Sequence, residues 1–375
     1  MTSIIEEIFK VRNNSPILID KKNYNRYRIV TNDIGGVQTA YYFNMPVYNN
    51  KTRKILDLKY HINGDTIFSV GSNSNIIITD KIRLDNQEGF CEISLSDTPT
   101  FISEHEVYFK STHLYPTTNG IAIRYYSYDN TPFKLTFEVS KSFMDIRSNN
   151  KYFALMSKKF QPFFVVSCIG AEDSNGNIIA PVNMTYQRIS DCKFSLTIVS
   201  CTSLSKAIFL EANLYEPKLF QDTTVESHNP ETNNVFGSVG FIGTTKEFGE
   251  QWLYSRPDYQ KMPELNDKRI MRVILHLPKL NPNSIELSSS AVAARFCSFG
   301  STWNSKIHGV YSFSTSKTTD NYIDIDLTPI FLDECGKFVK NDGFILKSSH
   351  KNSGFSVIST GDSYYYPEIL EVVYR

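Results

Sequence analysis

At 375 residues, with 41% apolar and 21% charged side chains, the chain is long enough for two or three domains with sizeable cores. Thirty-nine basic residues balance 39 acidic ones. That balance excludes a basic nucleic-acid surface and a basic membrane anchor, and it removes the long-range repulsion that keeps copies apart.

Aromatic residues are abundant (22 Tyr and 26 Phe), and Asn, Ser and Thr dominate the polar positions. Aromatic and β-branched side chains suit a pleated, half-buried surface, and Asn, Ser and Gly make turns. A low-GC genome would inflate some of the same residues.

The first ten residues lack both a basic leader and an apolar stretch of seven, so no secretory signal is expected there. Ser3 and Glu6 have capping-box spacing, and Ile4, Ile5, Ile8 and Phe9 follow at helical intervals. Such a two-turn helix is too short to stand alone, which marks these four residues as candidate docking positions within the chain or in an assembly. This attachment segment is assigned to residues 1–19.

From about residue 20 the period becomes two. Phe133, Leu135, Phe137 and Val139 alternate with polar neighbours, as do Cys192, Phe194, Leu196 and Ile198. Asn63-Gly64 and Asn175-Gly176 signal hairpins, since a type I′ turn needs positive φ at both central positions. Short strands with frequent turns and no alternating helices predict all-β, antiparallel β-sandwich domains. A boundary is expected near Tyr215–Lys218, giving an N-terminal β-rich domain over 20–214, as one body or two.

Six cysteines (91, 168, 192, 201, 297 and 335) show no Cys-x-x-Cys spacing and are expected as free thiols, mostly buried. No apolar run reaches 18 residues, so membrane insertion by a helix is not expected.

Beyond residue 215 the pattern is more distinctive. Ile323, Ile325 and Leu327 share one strand face. Thr328 and Pro329 then suit a helix start, Ile330, Phe331, Leu332 and Cys335 its apolar surface, and Gly336 its end. Strands are expected at 341–346, 354–359 and 367–374. This order resembles the DNRLRE domain family, jelly-roll-like sandwiches of bacterial surface proteins, polysaccharide-active enzymes and phage structural proteins. Phe220–Val225, Phe236–Gly243, Arg269–Pro278 and Thr302-Trp303-Asn304 extend the resemblance to residues 215–375. It implies a β-sandwich with no catalytic residues, and a core position for Trp303. The insert at 244–267 departs from the family pattern.

No zinc-protease, nucleophile-elbow, phosphate-loop or calcium-loop motif occurs, and the seven histidines lack ligand spacing. No enzyme, cofactor or metal is therefore expected. Asp324 and Asp326 point to one side of a strand as solvated charges. The candidate binding residues are aromatic: Tyr364, Tyr365 and Tyr366 before Pro367, and Trp252, Tyr254 and Tyr259 in the insert, where exposure is expected.

A β-rich, Tyr- and Asn-rich chain without an export signal fits a component of a phage or phage-tail-like particle, released by lysis. Its expected partners are other particle proteins, copies of itself in a homo-oligomer, and cell-surface glycan. Two alternatives are a bacterial cell-surface carbohydrate-binding protein or adhesin, and a polysaccharide-active enzyme with its site in 20–214.

Overall fold

The structure, a computed structural model, describes residues 25–375 except 33, 96–97, 128–130, 141–144, 158–160, 320 and 351–353. Ile4, Ile5, Ile8 and Phe9, and the helix expected there, lie outside the described residues. The chain forms two compact units. A middle unit holds Tyr48–Pro217 with Phe236–Ser238, and a terminal unit holds the chain up to Val47, Lys218–Val235 and Val239–Arg375. Both are all-β and built from antiparallel sheets. No described helix is long and apolar enough to cross a membrane.

The chain opens in the terminal unit with β1 (Arg28–Asn32) and β2 (Gln38–Phe43). The middle unit begins with β3 (His61–Asn63), β4 (Thr66–Val70), β5 (Asn75–Ile78), β6 (Ile82–Asn86) and β7 (Gly89–Ser94). Next are β8 (Phe101–Ile102), β9 (Val107–Tyr108), β10 (Thr112–Pro116) and β11 (Gly120–Tyr126). It ends with β12 (Phe133–Val139), β13 (Asp145–Ser148), β14 (Tyr152–Met156), β15 (Pro162–Glu172), β16 (Ile178–Ala180), β17 (Val182–Arg188), β18 (Lys193–Ser200) and β19 (Ala207–Leu214).

One middle-unit sheet runs β17-β18-β12-β7-β6-β5-β4-β3, and the other runs β13-β14-β15-β19-β11-β10-β9-β8 with β16 on β15. Their inner faces share one core. The two predicted alternating strands are neighbours within it: Phe133 pairs with Ile198, Leu135 with Leu196 and Phe137 with Phe194. Phe137 is the hub, with ring centroids 5.0 Å from Phe164, 5.5 Å from Phe194 and 5.6 Å from Phe153.

Both Asn-Gly pairs sit at hairpins, in different turns from those expected. Asn63 pairs with Thr66, so Gly64 takes the first central position with φ +61°, and Asp65 beside it keeps a negative φ. One positive φ replaces the two of a type I′ turn. Gly176 (φ +79°) lies in a longer loop between β15 and β16. Asp173 Oδ1 organises that loop by accepting from the backbone N–H of Asn175 (2.8 Å) and Asn177 (3.0 Å).

The terminal unit resumes with β20 (Phe220–Glu226), β21 (Val239–Thr245), β22 (Gly249–Pro257), β23 (Ile270–Pro278), β24 (Leu287–Val292) and β25 (Gly309–Thr315). It closes with β26 (Lys317–Thr318), β27 (Tyr322–Asp326), the one-turn helix α1 (Thr328–Phe331), β28 (Phe344–Ser348), β29 (Phe355–Ser359) and β30 (Ile369–Tyr374). One sheet is ordered β1-β2-β30-β23-β27-β26, the other β25-β24-β28-β22-β21-β29 with β20 on β22. A shared core joins them as a sandwich. The N-terminal strands belong here because β2, buried along almost its whole length, pairs with β30 from Gln38↔Tyr374 to Phe43↔Ile369. Residues 20–214 are thus divided between the two units.

Two local expectations are corrected. The 244–267 insert is no exposed loop: it carries β22, flanked by β20 on one edge and by β21 and β28 on the other. The helix after β27 stops after one turn, with Leu332 extended, and Cys335 is exposed beyond it. Thr328 does not cap it, because its Oγ1 is held by the Val273 backbone (3.0 Å from the N–H). Asp326 Oδ1 instead accepts from the Thr328 N–H at 2.9 Å, and Gly336 (φ +73°) serves a separate turn that Asp333 organises.

Candidate functional site

The aromatic residues singled out by sequence fall in three places. Tyr259, on a short 3-10 turn, is buried in the sandwich core, its hydroxyl 2.9 Å from Asn341 Oδ1. Tyr364 is buried beneath the Lys218 ammonium group, 4.0 Å from its ring centroid. Tyr365 and Tyr366 are half-buried, with perpendicular rings 4.8 Å apart. The third place is the face of β22 that points away from the sandwich core.

On that face Trp252 and Tyr254 form a second, smaller core with Val225, Val292, Phe296 and Ile345. Trp303 and Ile307 pack on it from the following loop. Trp303 is therefore half-buried over this satellite and lies 5.2 Å from Trp252, ring to ring. The Tyr254 hydroxyl donates to the Ile307 carbonyl at 2.6 Å and pins the loop. The Trp252 indole N–H donates to Glu250 at 2.8 Å. Two ammonium groups flank the same ring: Lys306 Nζ at 5.8 Å and Lys347 Nζ at 5.6 Å from the Trp252 centroid. Lys306 also sits 4.1 Å over Trp303. β-Strand alternation sends Leu253 into the sandwich and its two aromatic neighbours outward.

A further candidate site is in the middle unit, at residues the sequence did not single out. A cleft of about 580 Å³ lies among residues 49–52, the β4–β5 turn and the β6–β7 hairpin. Its turns are tied by carboxamides. Asn49 Nδ2 donates to the Gly71 carbonyl at 3.1 Å, while its Oδ1 accepts from the N–H of Lys51 and Thr52. Asn86 Oδ1 likewise accepts from the N–H of Glu88 and Gly89. Gly71 permits the close approach, since a Cβ there would stand 2.2 Å from the Thr118 carbonyl oxygen.

In the lining of the cleft, Arg83 lies 3.9 Å above the Phe90 ring and 3.5 Å from Asp85 Oδ2. Asn75 Nδ2 donates to Asp85 Oδ1 at 3.0 Å. Exposed Asn73 and Gln87 contribute further carboxamides to the lining. Lys51 and Arg83 balance Asp85 and Glu88, so the cleft is polar without net charge. It offers many neutral donors and acceptors and one aromatic wall, the complement of a hydroxyl-rich, uncharged ligand.

Two other polar clusters emerge from the fold alone. Glu106 receives hydrogen bonds from Tyr108 and Tyr115 (2.5 Å each) and lies 2.7 Å from His113 Nδ1. Burial would raise the Glu106 pKa, but the two tyrosine hydroxyls and His113 outweigh it and lower the pKa. Held this way, Glu106 is an acceptor with no proton to give. Next to it Arg124 makes a bidentate pair with buried Glu172, at 2.6 and 3.1 Å.

In the terminal unit Asp222, Asp362 and Glu368 gather near Lys218, whose Nζ is 3.1 Å from Asp362 Oδ1. Glu368 is fully buried, and neither carboxyl oxygen has a hydrogen-bond partner among the described residues. Burial first, then the neighbouring acids, raises the pKa of Asp222 and Glu368 well above the carboxylate range. The Asp324 and Asp326 pair separates into different tasks: Asp324 binds His276, and Asp326 holds the start of α1.

Neither a known protein family nor a curated protein matches the chain.

Proposed function

We propose that the protein is a non-catalytic attachment component of a phage or phage-tail-like particle that contacts cell-surface glycan. The observation that carries this proposal is the neutral, carboxamide-lined cleft with Phe90 and Arg83 in its lining. Two of its charged groups are already engaged: Asp85 with Asn75 and Arg83, and Arg83 with Glu92 at 3.1 Å. Groups so fixed orient a ligand and transfer no proton, which supports binding over catalysis. The particle assignment rests on the all-β sandwich architecture and the C-terminal resemblance. Its partners are then other particle proteins and further copies of the chain.

Immunogold labelling of lysates tests this directly. Gold on tails, baseplates or capsids is the expected result. Gold confined to bacterial walls, in cells free of particles, rejects the particle assignment in favour of a cell-surface adhesin.

A further inference from the structure

We propose that the surface of Trp303, Lys306 and Lys347, which covers the outer face of β22, is a second ligand site, for an anionic glycopolymer. Half-buried Trp303, Lys306 and Lys347 line it, over the buried Trp252 ring. The two ammonium groups flank one indole, and neither makes an ion pair among the described residues. The one carboxylate bonded to the ring, Glu250, is fixed at the indole N–H and leaves two positive charges against one negative.

The chemistry selects the ligand. Cations over an indole are held by the ring's quadrupole, at a position that still presents N–H donors outward. A lysine ammonium group is a compact point charge with three donors, which pairs with phosphate or carboxylate alike. Half-buried Trp303 supplies an apolar surface for the polyol or sugar between the anionic groups. The loop bearing Trp303 is anchored by the bond from Tyr254 to Ile307, so the surface exists before ligand arrives.

This site is independent of the cleft, whose lining contains no tryptophan. Trp252 and Trp303 are the chain's only two tryptophans, so intrinsic indole fluorescence of the full chain reports on this face alone. Titration with a polyol-phosphate polymer is expected to shift or quench that emission. The paired substitution Lys306→Gln/Lys347→Gln is expected to weaken the response at least about tenfold, the worth of one or two charge-assisted bonds. Added salt is expected to weaken it too.

Three parallel titrations decide the chemistry. The stronger of the responses to polyol phosphate and to a uronate polymer names the anion that is taken, and an equal response to neutral dextran overturns the charge argument. Binding of single-stranded DNA in preference to polyol phosphate assigns the site to nucleic acid instead. No emission change with any polymer rejects the site, and a binding loss in a variant whose melting temperature also falls is checked with Lys306→Arg/Lys347→Arg, which keeps the charge and should retain binding.

Discussion

His276 Nδ1 lies 2.7 Å from Asp324 Oδ1, across the β23–β27 pairing that aligns the two residues in register. Glu371 on β30 stands 3.5 Å from the other ring nitrogen. Burial would lower the His276 pKa, but the hydrogen bonds to Asp324 and Glu371 outweigh it and raise it to about 9. A raised pKa means the folded state holds the proton more tightly. The stabilisation is therefore complete below the unfolded value of about 6.5 and lost as pH rises through about 9. It amounts to about 3–4 kcal/mol at most. Replacing His276 with Gln should flatten the fall in melting temperature between pH 6.5 and 9. An unchanged slope would show that the pair does not couple to folding.

The buried acids give a second pH dependence of the same sign and a lower onset. Asp222 and Glu368 are raised by burial and then by the charge of Asp362, so stability is greatest below about pH 4 and declines above it. Glu368→Gln has no proton to lose. Its advantage over the native chain should grow steadily as pH rises from about 4, read by thermal melts across pH. A constant difference at every pH would mean that folding does not raise the Glu368 pKa.

Arg124 and Glu172 form a buried pair in which burial raises the Glu172 pKa and the guanidinium only partly offsets it. Glu172 is almost wholly inaccessible, and truncating Arg124 to Ala leaves its carboxylate without the guanidinium. A loss of about 3–5 kcal/mol is expected for the middle unit by chemical denaturation. The double replacement Arg124→Met/Glu172→Leu should recover most of it. If the double variant is no better than the single, the cost comes from packing over Phe209, whose ring the guanidinium covers at 4.6 Å.

Phe137 touches three other phenylalanines at the centre of the middle core. Phe137→Ala should cost about 3–5 kcal/mol, whereas Phe137→Leu should cost much less. Equal losses would show that ring geometry, rather than cavity size, sets the cost.

The strands carrying this core were legible in sequence because alternation is a local signal. Phe133–Val139 and the run from Phe194 to Ile198 read as strands from residue order alone, and their mutual pairing did not, since it spans some 60 residues of chain. β22 was missed for a physical reason: it is buried on both faces, so Trp252, Leu253 and Tyr254 run together and the alternation disappears. The cleft was invisible because its lining consists of ordinary turn residues. Asn49, Asn73, Asn75, Asn86 and Gln87 converge only when three separate turns meet. His113 and His276 looked scattered because their carboxylate partners lie across strands, at 7 and 48 residues' separation.

The central claim is glycan recognition by the middle-unit cleft, and an array of neutral and charged glycans probed with the intact protein tests it most directly. Asn73 and Gln87 are exposed cleft residues whose truncation leaves the turn-holding bonds of Asn49 and Asn86 in place. Retention of neutral glycans, with affinity falling about tenfold or more in Asn73→Ala/Gln87→Ala at unchanged melting temperature, is the predicted result. Retention of no neutral glycan, or retention that the double variant leaves intact, would contradict it.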